Sequence, residues 1–415
     1  MKLIKTMMVA LALPGLIHAA APAVSNINVA QDDSRLVTIS YTLSGAGAIV
    51  TMDVLTNGVS IGRALYANAT GDVNVKVPVG NRAITWQPRD TWPDQKIRDN
   101  SLSVKLTVWA LDNPPDYMCV DLTKPSTVVW YISSNDVPGG VTADIYKTDK
   151  LLMRRIHADG VRWRMGLPAK GGTGNNWEPG HFVTLTNDYY MAIFEMTIGQ
   201  RARIDNPTGA AVANADYPDL ATSYQDLRGT DGWPATGYAV AQGSVLATLR
   251  SHAGINGFDL PTQAEWEYAA RAGSLGYYHW GFSISTDMFK QYDWIGAMAN
   301  DATINRECGG DGIYHAQKVG LLKPNPWGLY DMHGNVFERV LDWFAAGDAY
   351  SKHGSDVIAP PGPATGSSRV IHGAGYTHNY SQAYAFYREG YGATSKNASN
   401  VGYRLACVAN FNDAQ

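Results

Sequence analysis

The chain has 415 residues, 45% of them hydrophobic, with 12 Trp and 23 Tyr; that is enough length for two or three domains and enough apolar side chain for packed cores, which excludes a disordered polypeptide. Lys and Arg total 33 against 37 Asp and Glu, a net charge of -4. No basic block runs along the chain, so no nucleic-acid partner is expected.

The N-terminus carries Lys2 and Lys5, an apolar run over residues 7–17, and Ala19, Ala20 and Ala21. This pattern reads as a secretory signal peptide over residues 1–21, its apolar run too short to remain as a membrane span. The mature protein is therefore expected to be exported to a periplasmic, cell-surface or extracellular location, with no membrane span. Cys119, Cys308 and Cys407 would then meet an oxidising compartment, where an odd count permits at most one internal bridge. Their spacing fits no zinc pattern, and a buried thiol is the plain reading for at least one.

Residues 22–112 hold short β-prone runs, RLVTISYTL, AIVTMDVLT, DVNVKVPV, NRAITW and LSVKLTVWA. Val104, Leu106 and Val108 alternate with Ser103, Lys105 and Thr107, and Asn57-Gly58 is a hairpin-turn signal. An all-β sandwich of immunoglobulin or fibronectin type is predicted, either a spacer or a partner contact. Asn113-Pro114-Pro115 ends it, and residues 113–150 read as a connector with one strand, STVVWYI. Residues 151–410 form a second domain, rich in Gly, Trp and Tyr and poor in helical periodicity. One helix stands out in LPTQAEWEYAARAG. Thr262 and Glu265 make a capping box, Gly273 supplies the stop, and Trp266, Ala269 and Ala270 share a face.

Four segments carry a resemblance: HFVTLTNDYYMAIFEMTIGQ (181–200) with Glu195-Met196-Thr197, LPTQAEWEYAARAG (260–273), NPWGLYDMHGNVFERVLDWF (325–344), and the closing RVIHGAG, YREG and NVGYRLA. In order and content they resemble the sulfatase-modifying factor family, the formylglycine-generating enzyme domain. The resemblance implies an irregular, C-type-lectin-like α+β fold for residues 151–410, preceded here by the sandwich. It also implies a copper-holding cysteine pair just after the glycine turn, thiolates being soft ligands for Cu(I). By counting, those positions fall near His378 and Ala383, so copper is not expected. His372 and His378 leave iron or another imidazole-bound metal open, without a third ligand in view.

The resemblance further implies a structural calcium ion in LYDMHGNVFE, held by the carboxylates of Asp331 and Glu338 and the carbonyls of Gly334 and Val336. A second ion would use Asn300, Asp301 and Asp311. The alternative is that Asp331 caps a turn and Glu338 pairs with an arginine.

Tyr376, Tyr380, Tyr384, Tyr387 and Tyr391 are 5 of the chain's 23 tyrosines, and they alternate with small polar residues. Rigid aromatic and adaptable polar groups together compose recognition surfaces, although tyrosines also serve as plain packing. The ending SKNASNVGYRLACVAN is similar to that of variable proteins of diversity-generating retroelements, which display a ligand surface on this fold. Tyr376, His378, Asn379, Tyr380, Tyr384 and Arg388 are the expected groove residues, Arg388 through its fork of donors. Arg404 reads as a buried partner for a carboxylate, and Glu195, Glu265 and Glu267 as internal anchors without a nucleophile to serve. Three functions follow: a calcium-stabilised module binding a peptide, glycan or other surface ligand; an oxidoreductase of the same family with a non-cysteine metal site acting on a peptide or sulfatase; or a structural surface protein.

Overall fold

A computed structural model describes residues 20–93, 102–167, 180–229, 232–296, 315–346, 356–396 and 399–412. Most of the signal segment, Cys308 and the second calcium group, Asn300, Asp301 and Asp311, lie outside the described residues.

The first part is the two-sheet sandwich. One sheet runs Ala23–Gln31, Val37–Ser44, Gly80–Trp86 and Thr70–Gly71; the other is built on Ala48–Thr56, which pairs along its whole length with Leu102–Ala110. Val37, Ile39, Tyr41 and Leu43 all point inward, the period of two that a half-buried strand needs. They meet Val50, Met52, Val54 and Trp86 in one core. Asn57 and Gly58, with φ of 51° and 78°, form the two-residue turn into Val59–Ser60. Such turns require positive φ at both central positions.

The presumed connector belongs instead to the second domain. Tyr117–Asp121 and Val128–Tyr131 form a hairpin that starts a six-stranded sheet, continuing through Lys150–Ile156, Tyr189–Ala192, Ala406–Val408 and Phe258–Asp259. Every residue of Tyr117–Asp121 is buried, and a strand covered on both faces shows no alternation by which to find it. The sandwich packs onto this sheet: Ile49 enters the core formed by Met118, Trp130 and Phe258. Trp130 N donates to the Asn74 carbonyl at 2.8 Å, and Phe411 N to the Leu111 carbonyl at 2.8 Å.

A smaller sheet orders Arg388–Tyr391, Arg369–His372, Phe337–Trp343 and Val401–Tyr403. Between the sheets lies the helix Gln263–Arg271, with the capping box as expected: Thr262 Oγ1 accepts from Glu265 N at 3.2 Å, and Glu265 Oε2 accepts from Thr262 N at 2.8 Å. Its left-handed stop is Ala272, one residue before Gly273. Trp266, Ala269 and Ala270 are fully buried. Thr262→Ala removes one half of the box and is expected to cost about 1 kcal/mol of stability in chemical denaturation.

Cys119 and Cys407 are free and buried. Cys119 lies between Val129 and Leu152, and Cys407 between Tyr190 and Phe258. Burial pushes both thiols up, Cys119 to about 12, so neither offers a thiolate at neutral pH. No helix among the described residues is long and apolar enough to cross a membrane.

Candidate functional site

The turn that leads into Phe337–Trp343 is held from within. Asn325 Oδ1 accepts from Trp327 N and Leu329 N at 3.0 and 3.2 Å, while its Nδ2 donates to the Ala269 carbonyl at 2.8 Å. Asp331 and Asn335 take φ of 57° and 61°, a region that Asn and Asp tolerate better than most residues. Gly334 lies so close to Trp294 that a Cβ would sit 2.4 Å from the Trp294 carbonyl oxygen. Only glycine fits there.

Four buried carboxylates surround this turn, with one guanidinium among them. Glu338 spends both oxygens: Arg404 Nη2 donates to Oε1 at 2.6 Å, Arg404 Nε reaches both oxygens at 3.0 and 3.1 Å, and Trp266 Nε1 donates to Oε2 at 2.6 Å. Arg404 also donates to the carbonyls of Ala192 and Tyr330 at 3.0 and 2.8 Å. Glu195 accepts from Asn335 Nδ2 at 2.6 Å and Val336 N at 3.2 Å. Asp331 Oδ2 accepts from Gly320 N at 2.7 Å, and Asp293 Oδ1 from His333 N at 3.1 Å. The remaining oxygens of Asp331 and Asp293 are buried with no hydrogen-bond partner.

Desolvation, followed by the nearby Asp331 charge, raises the Glu195 and Asp293 carboxyls well above the ordinary range. Desolvation lifts Asp331 to about 6. The carbonyls of Gly334 and Val336 accept no hydrogen bond from another described residue. Among the described residues no three His, Cys, Asp or Glu side chains converge on one point, so a cation at this turn draws on carbonyl oxygen as well as carboxylate. The free Asp331 oxygen and the two carbonyls fit a hard cation such as calcium. Glu338, expected beside them, is the counter-ion of Arg404.

The tyrosine strip divides between core and surface. Tyr376 is buried against Val336 and Ala316. Arg388 is fully buried, opposite His372 in the sheet, its guanidinium carbon 5.5 Å from the centre of the Phe344 ring. These two lie inside the fold rather than along a groove: strand pairing sets Arg388 opposite His372, and Tyr376 N donates to the Asn335 carbonyl at 2.7 Å, which holds that residue against the 331–336 turn. His378, Tyr380 and Tyr384 are half-buried and Asn379 is exposed. The His378 ring meets the edge of Phe337 at 4.7 Å, with Nδ1 3.1 Å from Thr377 Oγ1.

Tyr384 joins an aromatic cluster that lies outside every motif named above. Its ring lies 4.6 Å from Tyr277, 5.4 Å from Tyr278 and 5.2 Å from Phe386. Trp280 stacks on Tyr278 at 4.5 Å and on Tyr292 at 5.4 Å. The signal was present as the run GYYHWGF over residues 276–282. Phe282 in this run is 57% exposed and Leu275 just before it 76%, so the cluster continues to an apolar rim. Ala383, counted as the second cysteine position of the resemblance, is buried, and its carbonyl accepts from His333 Nδ1 at 2.9 Å.

His372 is sealed in the core, stacked on Trp266 at 4.7 Å, while His378 reaches the surface. Burial holds the His372 imidazole neutral, its pKa lowered to about 3. A base whose folded pKa is depressed contributes stability above its unfolded pKa and loses it as pH falls. His372→Phe is therefore expected to flatten the fall in unfolding free energy between about pH 6.5 and pH 4, by about 1.4 kcal/mol per pH unit across that window, as read by urea denaturation at each pH.

A loop-built α+β head, closed by its last strand and centred on a buried Glu–Arg pair, defines the irregular C-type-lectin-like class. A family model described as sulfatase-modifying factor enzyme 1-like domain matches residues 154–409. The chain belongs to that family. It is 33% identical over 151 residues to the formylglycine-generating enzyme of Streptomyces coelicolor, covering 35% of this chain and 46% of that protein. With the Mus musculus formylglycine-generating enzyme it shares 30% identity over 151 residues, 35% of this chain and 38% of that protein. The chain thus spans less than half the length of these curated relatives. Among solved structures, Treponema denticola variable protein 1 superposes with a TM-score of 0.45 at 23% identity, over 62% of this chain and 95% of that one. PvdO from Pseudomonas aeruginosa gives 0.47 at 21% identity, over 62% and 94%.

Proposed function

We propose that this protein is an exported binding module, a member of the sulfatase-modifying factor family whose head is stiffened by calcium and recognises a peptide, glycan or other surface ligand. The observation that carries this reading is the surface at His378. The position that the resemblance gives to a copper ligand holds an imidazole, flanked by Asn379, Tyr380 and Tyr384, and the chain has no cysteine between residues 309 and 406. The two described thiols are buried. What stands at the surface is a polar and aromatic patch continuous with Tyr277 and Phe282, the composition of a recognition surface. The calcium ion would sit at the 331–336 turn, on Asp331 and the carbonyls of Gly334 and Val336, and fix the loop beneath this surface.

The test is binding to immobilised peptide and glycan arrays. Wild-type protein is expected to select a subset of features, and His378→Ala and Tyr384→Ala each to weaken that binding about tenfold or more, as central aromatic contacts do. Selective binding that neither substitution changes would place the recognition surface elsewhere.

A further inference from the structure

We propose that Asp293 supplies a further carboxylate to the calcium site; this rests on the calcium reading of the 331–336 turn. Asp293 follows the helix Thr286–Tyr292, and its N–H closes that helix on the Phe289 carbonyl at 2.9 Å. The side chain is 1% exposed. Two hydrogen bonds clamp the segment to the turn: His333 N donates to Asp293 Oδ1 at 3.1 Å, and Asn335 N to the Trp294 carbonyl at 2.8 Å. Between those two anchors lies Gly334, in close backbone contact with Trp294.

Asp293 Oδ2 is thus held at the same turn as Asp331 Oδ1, both buried and both without a donor, beside two carbonyls in the same condition. A buried carboxylate oxygen left without a partner is strongly destabilising. The Asp293 and Asp331 oxygens and the two carbonyls are all acceptors; the Trp294 indole N–H is the one orphaned donor among the residues named here. What satisfies such a set is a cation and not a further hydrogen-bond acceptor. Among the described residues, the guanidinium that reaches these carboxylates is that of Arg404, spent on Glu338 and two carbonyls. Two carboxylates with backbone carbonyls form an oxygen-only set of the kind calcium takes, and the number of charged ligands sets its affinity.

The experiment titrates calcium, by calorimetry, into the chelator-treated full chain and its Asp293→Asn variant. Asn keeps an oxygen to accept from His333 N and removes the charge. The expected result is a dissociation constant raised about tenfold or more, with the melting temperature of the calcium-free variant equal to that of wild type or above it. A dissociation constant within about twofold of wild type would overturn the assignment while leaving the calcium site standing. If wild type itself takes up no calcium, the reading of the turn fails and this inference with it. A second measurement does not use the Asp293→Asn variant: terbium bound to wild type should emit through indole sensitisation, and Trp294→Phe should lower that emission, with Trp266 remaining as a second nearby indole. Full emission in Trp294→Phe would separate the ion from residues 293–294.

Discussion

Arg404→Met is expected to destabilise the protein by about 3–5 kcal/mol, the cost of leaving a buried charge without its partner. The substitution strands the Glu338 carboxylate, which is fully buried and keeps only Trp266 Nε1 as a donor, and it frees the carbonyls of Ala192 and Tyr330. Glu338 lies in the smaller sheet and Ala192 in the six-stranded one, so one side chain joins both halves of the head. The double variant Glu338→Leu with Arg404→Met is expected to recover much of the loss, because an apolar pair of similar volume removes both charges together. Urea denaturation of the three proteins measures this. A single-variant loss under about 1 kcal/mol would show that the pair does not hold the sheets together.

The second large effect concerns calcium. Removal by chelator is expected to lower stability by about 2.7 kcal/mol relative to a solution at one hundred times the dissociation constant, by mass action alone. Asp331→Ala should abolish the calcium-dependent part of the melting temperature, because it deletes the carboxylate whose free oxygen sits at the turn. Magnesium should restore little, since it demands a tighter octahedral cage than carbonyls on a fixed turn provide. Identical melting curves with and without chelator would remove calcium from the account.

Local features were legible where the chemistry was local. The capping box at Thr262 and Glu265, the Asn57-Gly58 turn and the alternation of the sandwich strands each depend on residues within a few positions of one another, and the structure contains all three. Arg404 could be read as the partner of some carboxylate, and Glu338 as the partner of some arginine. Their pairing with each other spans 66 positions, which no local pattern encodes. Tyr117–Asp121 was missed for the opposite reason, since complete burial leaves a strand without a polar face to alternate with. The aromatic strip shows the limit of composition. Tyr376 and Tyr384 look alike in sequence, yet the first is sealed against Val336 and the second reaches the surface beside Tyr277. Asp293 stood in no motif at all. Its place at the 331–336 turn follows from the clamp of residues 293–294 to His333 and Asn335, two tertiary contacts.

Elemental analysis of the purified full-length protein bears most directly on whether the head binds or oxidises. Stoichiometric calcium, removed by Asp331→Ala, is expected, with copper and iron at background. Stoichiometric copper or iron that disappears with His378→Ala would contradict it and turn the surface at His378 into a redox centre.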